Sequence, residues 1–278
     1  MTATTTPSRT PRALSAGTML SGGALIALVG LFALLSVQMY AENLSDAAYA
    51  ASYWFGTSLQ ILFALVIIFV ALRIGWGQHV GKQWFFVGLG VAAYAAGDIA
   101  WTILDLHLGL DPYPSVADLF YTLEYAFFFI AMVLAVRSYR SITDLRTPVI
   151  IGAVISVVAA AAMYFLLLKP YIFAAGVEEL GTWGLVVSTL YPLGDVFFML
   201  GPAMTLAIVI MRLGAGRLAW PWWIVVVGAL VFSMADSLYS YADWSGAGSS
   251  TLLEMGWMSA NLLFALAALV ARDVYRVR

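Results

Sequence analysis

Runs of about twenty apolar residues, the length that crosses the hydrocarbon core of a bilayer, recur along almost the whole chain and are separated by short stretches that hold most of the charge. They lie near 16–37, 53–74, 84–106, 117–137, 148–168, 190–212, 219–241 and 253–271. The pattern predicts an all-α integral membrane protein with eight transmembrane helices. Residues 1–14 precede them, rich in Thr, Pro and Arg, and read as a flexible cytoplasmic tail. The first run follows Arg9 and Arg12 and precedes Ala48-Tyr49-Ala50, the layout of a secretory signal. Its apolar length exceeds the usual h-region of about 7–15 residues, so it is read as the first span.

Polar side chains interrupt the apolar runs at helical spacing, and the interruptions return. An offset of 138 residues takes Tyr53, Gly56, Gly90, Tyr94, Asp98, Trp101 and Asp105 to Tyr191, Gly194, Gly228, Phe232, Asp236, Tyr239 and Asp243. An offset of 136 takes Asp118, Tyr121, Phe128 and Tyr139-Arg140 to Glu254, Trp257, Phe264 and Tyr275-Arg276. This reads as an internal duplication. Spans two to four match spans six to eight, and spans one and five complete the halves, 15–146 and 147–278. Four helices per half is an even number. Both halves therefore enter from one side, as parallel four-helix repeats with a ligand site expected between them.

Composition agrees with a membrane protein: 63% of residues are hydrophobic and 10% charged, with a mean hydropathy of +0.94, against about a quarter charged in soluble domains. The chain lacks cysteine, which excludes disulfides, iron–sulfur clusters and thiol nucleophiles. His79 and His107 fall in predicted loops, so no pair of imidazoles is placed to hold a haem or a buried metal. Lys82 and Lys169 sit at segment ends, which argues against a retinal-type Schiff base in mid-membrane. With the N-terminus inside, Lys169 alone of the 13 basic residues lies on the outer side. This positive-inside pattern predicts a multi-pass protein of the bacterial inner membrane with both termini cytoplasmic.

Candidate chemistry gathers at the outer ends of the spans. Tyr94, Asp98, Trp101 and Asp105 are spaced i, i+4, i+7 and i+11 and share one face of a helix. Phe232, Asp236, Tyr239 and Asp243 repeat that stripe. Asp118, Tyr121, Tyr125 and Phe128 form another, answered by Glu254, Trp257, Asn261 and Phe264, and Asp195 joins at the start of the sixth span. Acids at membrane depth face a bundle interior or a wet cavity. With almost no outer base to neutralise them, Asp98 and Asp236 are expected to be protonated, to share a proton, to bind a cation, or to bond to Thr102, Ser233 and Ser237. Bracing the two halves is the other use of this pair. Asp105, Asp111, Asp118, Asp243 and Glu254 lie nearer the interface, where hydration or helix capping accounts for an acid as well. Pro192 and Pro202 are expected to kink the sixth span.

Two resemblances follow from particular words. Gly97-Asp98, Pro114-Ser115-Val116-Ala117-Asp118-Leu119-Phe120-Tyr121 and the closing Leu262-Leu263-Phe264-Ala265-Leu266-Ala267-Ala268-Leu269 resemble the multi-pass N-terminal sensory region of bacterial and archaeal signalling proteins. There the region precedes a diguanylate cyclase (GGDEF), phosphodiesterase (EAL) or kinase output. This sequence ends at Arg278, directly after the last span, so by this resemblance it would signal through a partner, be a sensor fragment, or do something else. Gly97-Asp98 and the stretch Gly228 to Leu238 around Asp236 also resemble the paired aspartate motifs of the eight-span lysoplasmalogenase family. That resemblance implies hydrolysis of a vinyl ether with Asp98 and Asp236 as acid and base, although Asp118 stands where that family has a histidine.

The resulting expectation is a membrane-embedded sensor or ligand-binding module. Asp98, Trp101, Asp118, Tyr121, Tyr125, Asp195, Asp236, Tyr239, Glu254, Trp257 and Asn261 would form an acidic, aromatic pocket for a small amphipathic or cationic ligand. The lipid bilayer and a cytoplasmic signalling protein are the other partners implied, and nothing points to nucleic acid, to a metal or to a particular cofactor. The alternatives are a lipid hydrolase using Asp98 and Asp236, and a proton- or cation-coupled transporter. Against the transporter, no polar residue continues the acids through the inner half of the bundle.

Overall fold

The structure is a computed structural model that describes residues 14–41, 45–214, 216–246 and 251–275. The tail expected over residues 1–14 lies outside the described residues except for Leu14, as do Arg276 and Arg278. Every regular element among the described residues is helical: α1 (Ala16–Ala41), α2 (Asp46–Ile74), α3 (His79–Thr102), α4 (Val116–Ser138), α5 (Arg146–Met163), α6 (Phe173–Gly194), α7 (Gly201–Arg212), α8 (Trp220–Trp244) and α9 (Thr251–Val274). Seven helical runs among them are long and apolar enough to cross a membrane.

Six of these runs coincide with expected spans. The seventh, Arg146–Arg212, joins α5, α6 and α7 through π-helical turns at Tyr164–Ile172 and Asp195–Leu200. Residues between the fifth and sixth expected spans are therefore largely helical. Wide turns absorb the N–H that Pro170 lacks. At about 1.5 Å per residue, a straight helix of this length would far exceed a bilayer. Gly176 and Gly181 break it, with φ of 65° and 68° and extended ψ, a conformation only glycine adopts readily.

The two arms then lie side by side. Ser156 Oγ donates to Val196 O at 3.3 Å, and a Cβ at Gly152 would run into Thr205 Oγ1, as one at Gly201 would run into Ser156 Oγ. Small residues bring these backbones close, the usual way helices associate in lipid. His79 opens α3 and His107 closes a π turn, so neither is the loop residue expected.

The core lies between α2, α3, α4, α7, α8 and α9, around fully buried Phe63, Trp84, Phe128, Met132, Trp222 and Phe264. α1 is peripheral, packed on α2 and α9. Its start is tied to the end of α9: Ser15 N donates to Asp273 Oδ2 at 2.6 Å, and Arg272 Nη2 to Thr18 Oγ1 at 2.8 Å.

Candidate acidic aromatic cavity

Side chains from α1, α2, α3, α4, α6, α8 and α9, with Tyr113 from the loop before α4, converge on a cavity of about 500 Å³. It lies at the end of the bundle where α3 passes into α4 and α8 into α9. Arg73, Arg137, Arg212 and Arg272 occupy the last turns of α2, α4, α7 and α9, at the opposite end. Asp98, Asp118, Glu124, Asp236, Asp243 and Glu254 line it, and among the described residues no Lys, Arg or His does. Its volume is that of a site for a small organic molecule, commonly about 300–1,000 Å³.

Helix geometry decides which expected residues reach the wall. On α8, Phe232, Asp236, Tyr239 and Asp243 all line the cavity, because α8 remains α-helical to Trp244. On α3, Tyr94, Asp98 and Trp101 line it but Asp105 does not. The wider π turn Ile103–His107 changes the helical register after Thr102. On α4, Asp118, Tyr121 and Tyr125 are in the wall. On α9, Glu254 and Trp257 are. Phe128 and Phe264, one further turn in, meet at 4.8 Å beneath them.

Two expected residues do not line the cavity. Asn261 is fully buried, and neither polar atom of its amide has a partner. Asp195 stands behind the wall, fully buried in the π turn after α6. Tyr125 Oη donates to Asp195 Oδ1 at 3.2 Å. The Asp195 and Asp236 carboxyls lie within hydrogen-bonding reach of each other, and Asp236 within reach of Trp257 and Tyr125.

The other acids are held by aromatic hydroxyls. Tyr121 Oη donates to Asp98 Oδ1 at 3.0 Å, across Gly97, where any Cβ would press on the Tyr121 ring. Tyr191 Oη donates to Asp118 Oδ1 at 2.5 Å. The other Asp118 oxygen accepts from Ser115 N–H at 2.6 Å, while Ser115 Oγ accepts from Ala117 N–H at 3.0 Å. This capping box starts α4, so Asp118 is a helix cap as well as a wall residue. Asp111, outside the cavity, accepts from Tyr113 N–H in the preceding loop. Tyr113 reaches back to Ser188 on α6 at 2.6 Å. Burial pushes the Tyr113 phenol up despite that bond, with the nearby Asp118 charge adding to the rise, so it stays a neutral hydroxyl.

Several wall residues were not expected from the sequence. Glu124, Gln60, Thr57, Ser188 and Tyr191 line the cavity, and Glu124 is 1% exposed. A lone carboxyl near the middle of an apolar span is itself a signal. It went unread because the stripe through Asp118, Tyr121 and Tyr125 passes beside it. Its counterpart at an offset of 136 is Ala260, so a search for repeated acids also misses it. Searches for relatives identify no family for this chain: no protein-family model matches it, and no curated protein or solved structure matches it.

Proposed function

We propose that this protein is a membrane-embedded ligand-binding module of the sensor type. A small amphipathic or cationic ligand enters the acidic, aromatic cavity from the outer side, and its binding shifts the two halves of the bundle and with them the cytoplasmic helix ends. One observation carries the reading: six carboxyl-bearing side chains and a wall of aromatic rings enclose a ligand-sized space that no basic side chain enters among the described residues. A cation over such rings gains about 0.5–2 kcal/mol from each well-placed contact. The sequence resemblance to multi-pass sensory regions points the same way.

The finer architecture belongs to this proposal. We read Arg146–Arg212 as a hairpin of two passes, which makes eight spans in two parallel repeats, with both termini in the cytoplasm. Residues related by a two-fold axis touch each other where the axis passes between them. Three pairs related by the two offsets do so: Trp84 and Trp222 stack at 5.0 Å, Phe128 meets Phe264 at 4.8 Å, and Tyr94 meets Phe232 at 5.9 Å. Off the axis, equivalent contacts recur. Tyr121 holds Asp98 as Trp257 holds Asp236. Gly90 lies against Glu124 and Phe128 as Gly228 lies against Ala260 and Phe264. The cavity then sits on the axis, where binding moves both halves.

A lysoplasmalogenase-like hydrolase is the second reading, favoured by Asp98 and Asp236 facing one cavity with different partners. The transporter reading is disfavoured by the floor, which is closed by Phe128, Phe264, Trp84 and Trp222, all at most 1% exposed.

Native mass spectrometry of the detergent-purified protein, with and without a lysoplasmalogen, separates these readings. The sensor reading expects an intact small molecule bound to the wild type and lost from the Asp98→Asn/Asp236→Asn double variant. Aldehyde and glycerophospho-product released by the wild type alone would establish the hydrolase and sink the sensor as the primary function.

A further inference from the structure

The cavity holds more acceptor oxygen than the chain satisfies. Gln60, 2% exposed, and Glu124, 1% exposed, both line it, and neither Gln60 Oε1 nor Glu124 Oε1 has a hydrogen-bond partner. Asp236 Oδ2, also buried, has none either, and neither does Oδ2 of Asp195, the carboxyl beside it. Closing off such an oxygen without a donor is unfavourable and uncommon in native proteins. Asp98 and Asp118 in the same wall each take a tyrosine hydroxyl.

The unsatisfied atoms come from α2, α4 and α8, three separate helices converging on one space. Glu124 lies near both Asp98 and Asp236, so these carboxyl groups are clustered rather than spread over the mouth. Gln60 and Glu124 also depart from the internal repeat: their counterparts at offsets of 138 and 136 are Phe198 and Ala260. The polar groups that break the symmetry are thus ones left without partners.

Resting on the binding reading above, we infer that the ligand is a protonated primary amine on an apolar or aromatic body, with its ammonium donating to Gln60, Glu124 and Asp236. An ammonium brings three N–H donors and a positive charge. A quaternary ammonium brings the charge without donors and leaves the oxygens unsatisfied. An alcohol donates one hydrogen bond and leaves the carboxylates uncompensated. The body of the ligand rests on the ring wall, where Tyr94 stands 5.2 Å from Tyr121 and 5.9 Å from Phe232.

Three molecules sharing one skeleton test this on the full chain in detergent: 2-phenylethylamine, trimethyl(2-phenylethyl)ammonium and 2-phenylethanol. Affinity is read from the concentration dependence of the thermal midpoint. The inference expects the primary amine to bind at least about tenfold more tightly than either of the others. Glu124→Gln and, separately, Gln60→Leu should each remove about tenfold or more of that preference. Equal or tighter binding of the quaternary ion or the alcohol to the wild type overturns the amine assignment and leaves the binding reading standing. Stabilisation by none of the three overturns both. The comparison on wild type needs no variant to fold.

Discussion

At the level of single side chains, the cavity is held together by acids that take hydrogen bonds from rings. Tyr121 donates its hydroxyl to Asp98, whereas Asp118 takes both Tyr191 and the Ser115 amide. Tyr121→Phe should therefore cost more stability than Tyr191→Phe. The first is expected to cost on the order of 1–3 kcal/mol and the second less, read as shifts in thermal midpoint. Gly97→Ala should reproduce much of the Tyr121→Phe loss, since the added methyl presses on that ring. Asp98, Trp101, Asp236 and Tyr239 were legible in the sequence because two turns of helix and a recurrence at an offset of 138 marked them twice. Glu124 and Gln60 were not, because each appears once and lies beside a stripe rather than in it. Asp195 was legible as an acid in a span. Its burial behind Tyr125 was not, because the register of a π turn depends on neighbours across the bundle.

Among the helices, the contrast between α3 and α8 shows how one wide turn edits a shared pattern: the same four-residue stripe contributes four wall residues from α8 and three from α3. Outside Arg146–Arg212, the apolar runs located each membrane-length helix to within about two turns, because burial in lipid and in protein both favour apolar side chains. The course of Arg146–Arg212 was harder to read. Proline and glycine there signal a break, but π turns carry the backbone past Pro170, and only Gly176 and Gly181 leave helical geometry. Replacing either glycine by alanine should cost on the order of 1–3 kcal/mol, since a Cβ is strained at that φ and ψ. The same change at Gly77, where the surroundings are open, should cost less. Gly152→Val should separate the two arms, because the added side chain would meet Thr205 Oγ1. A loss of about 1–3 kcal/mol is expected, and chemical or thermal unfolding would measure it.

For the molecule as a whole, the absence of native cysteine makes topology directly measurable. Single cysteines at Ser141 and Gly216, which flank the Arg146–Arg212 run, should react with an impermeant thiol reagent from one and the same side if that run is a hairpin. Labelling from opposite sides would reduce it to a single pass and remove the parallel repeat. Glu178→Cys, beside the breaking glycines, should label from the other face. The basic end and the acidic cavity end were both readable from the charges alone, whereas the meeting of α3 with α8 and of α4 with α9 was not: helical periodicity says which face is apolar, not which face it meets. That meeting has an optical consequence. Trp84 and Trp222 lie 5.0 Å apart at 22° between ring planes, close enough for their excited states to mix, so the contact between α3 and α8 carries its own chromophore pair. Any event that slides α3 past α8 changes the near-ultraviolet circular dichroism of this pair, and the protein reports its own rearrangement without a label.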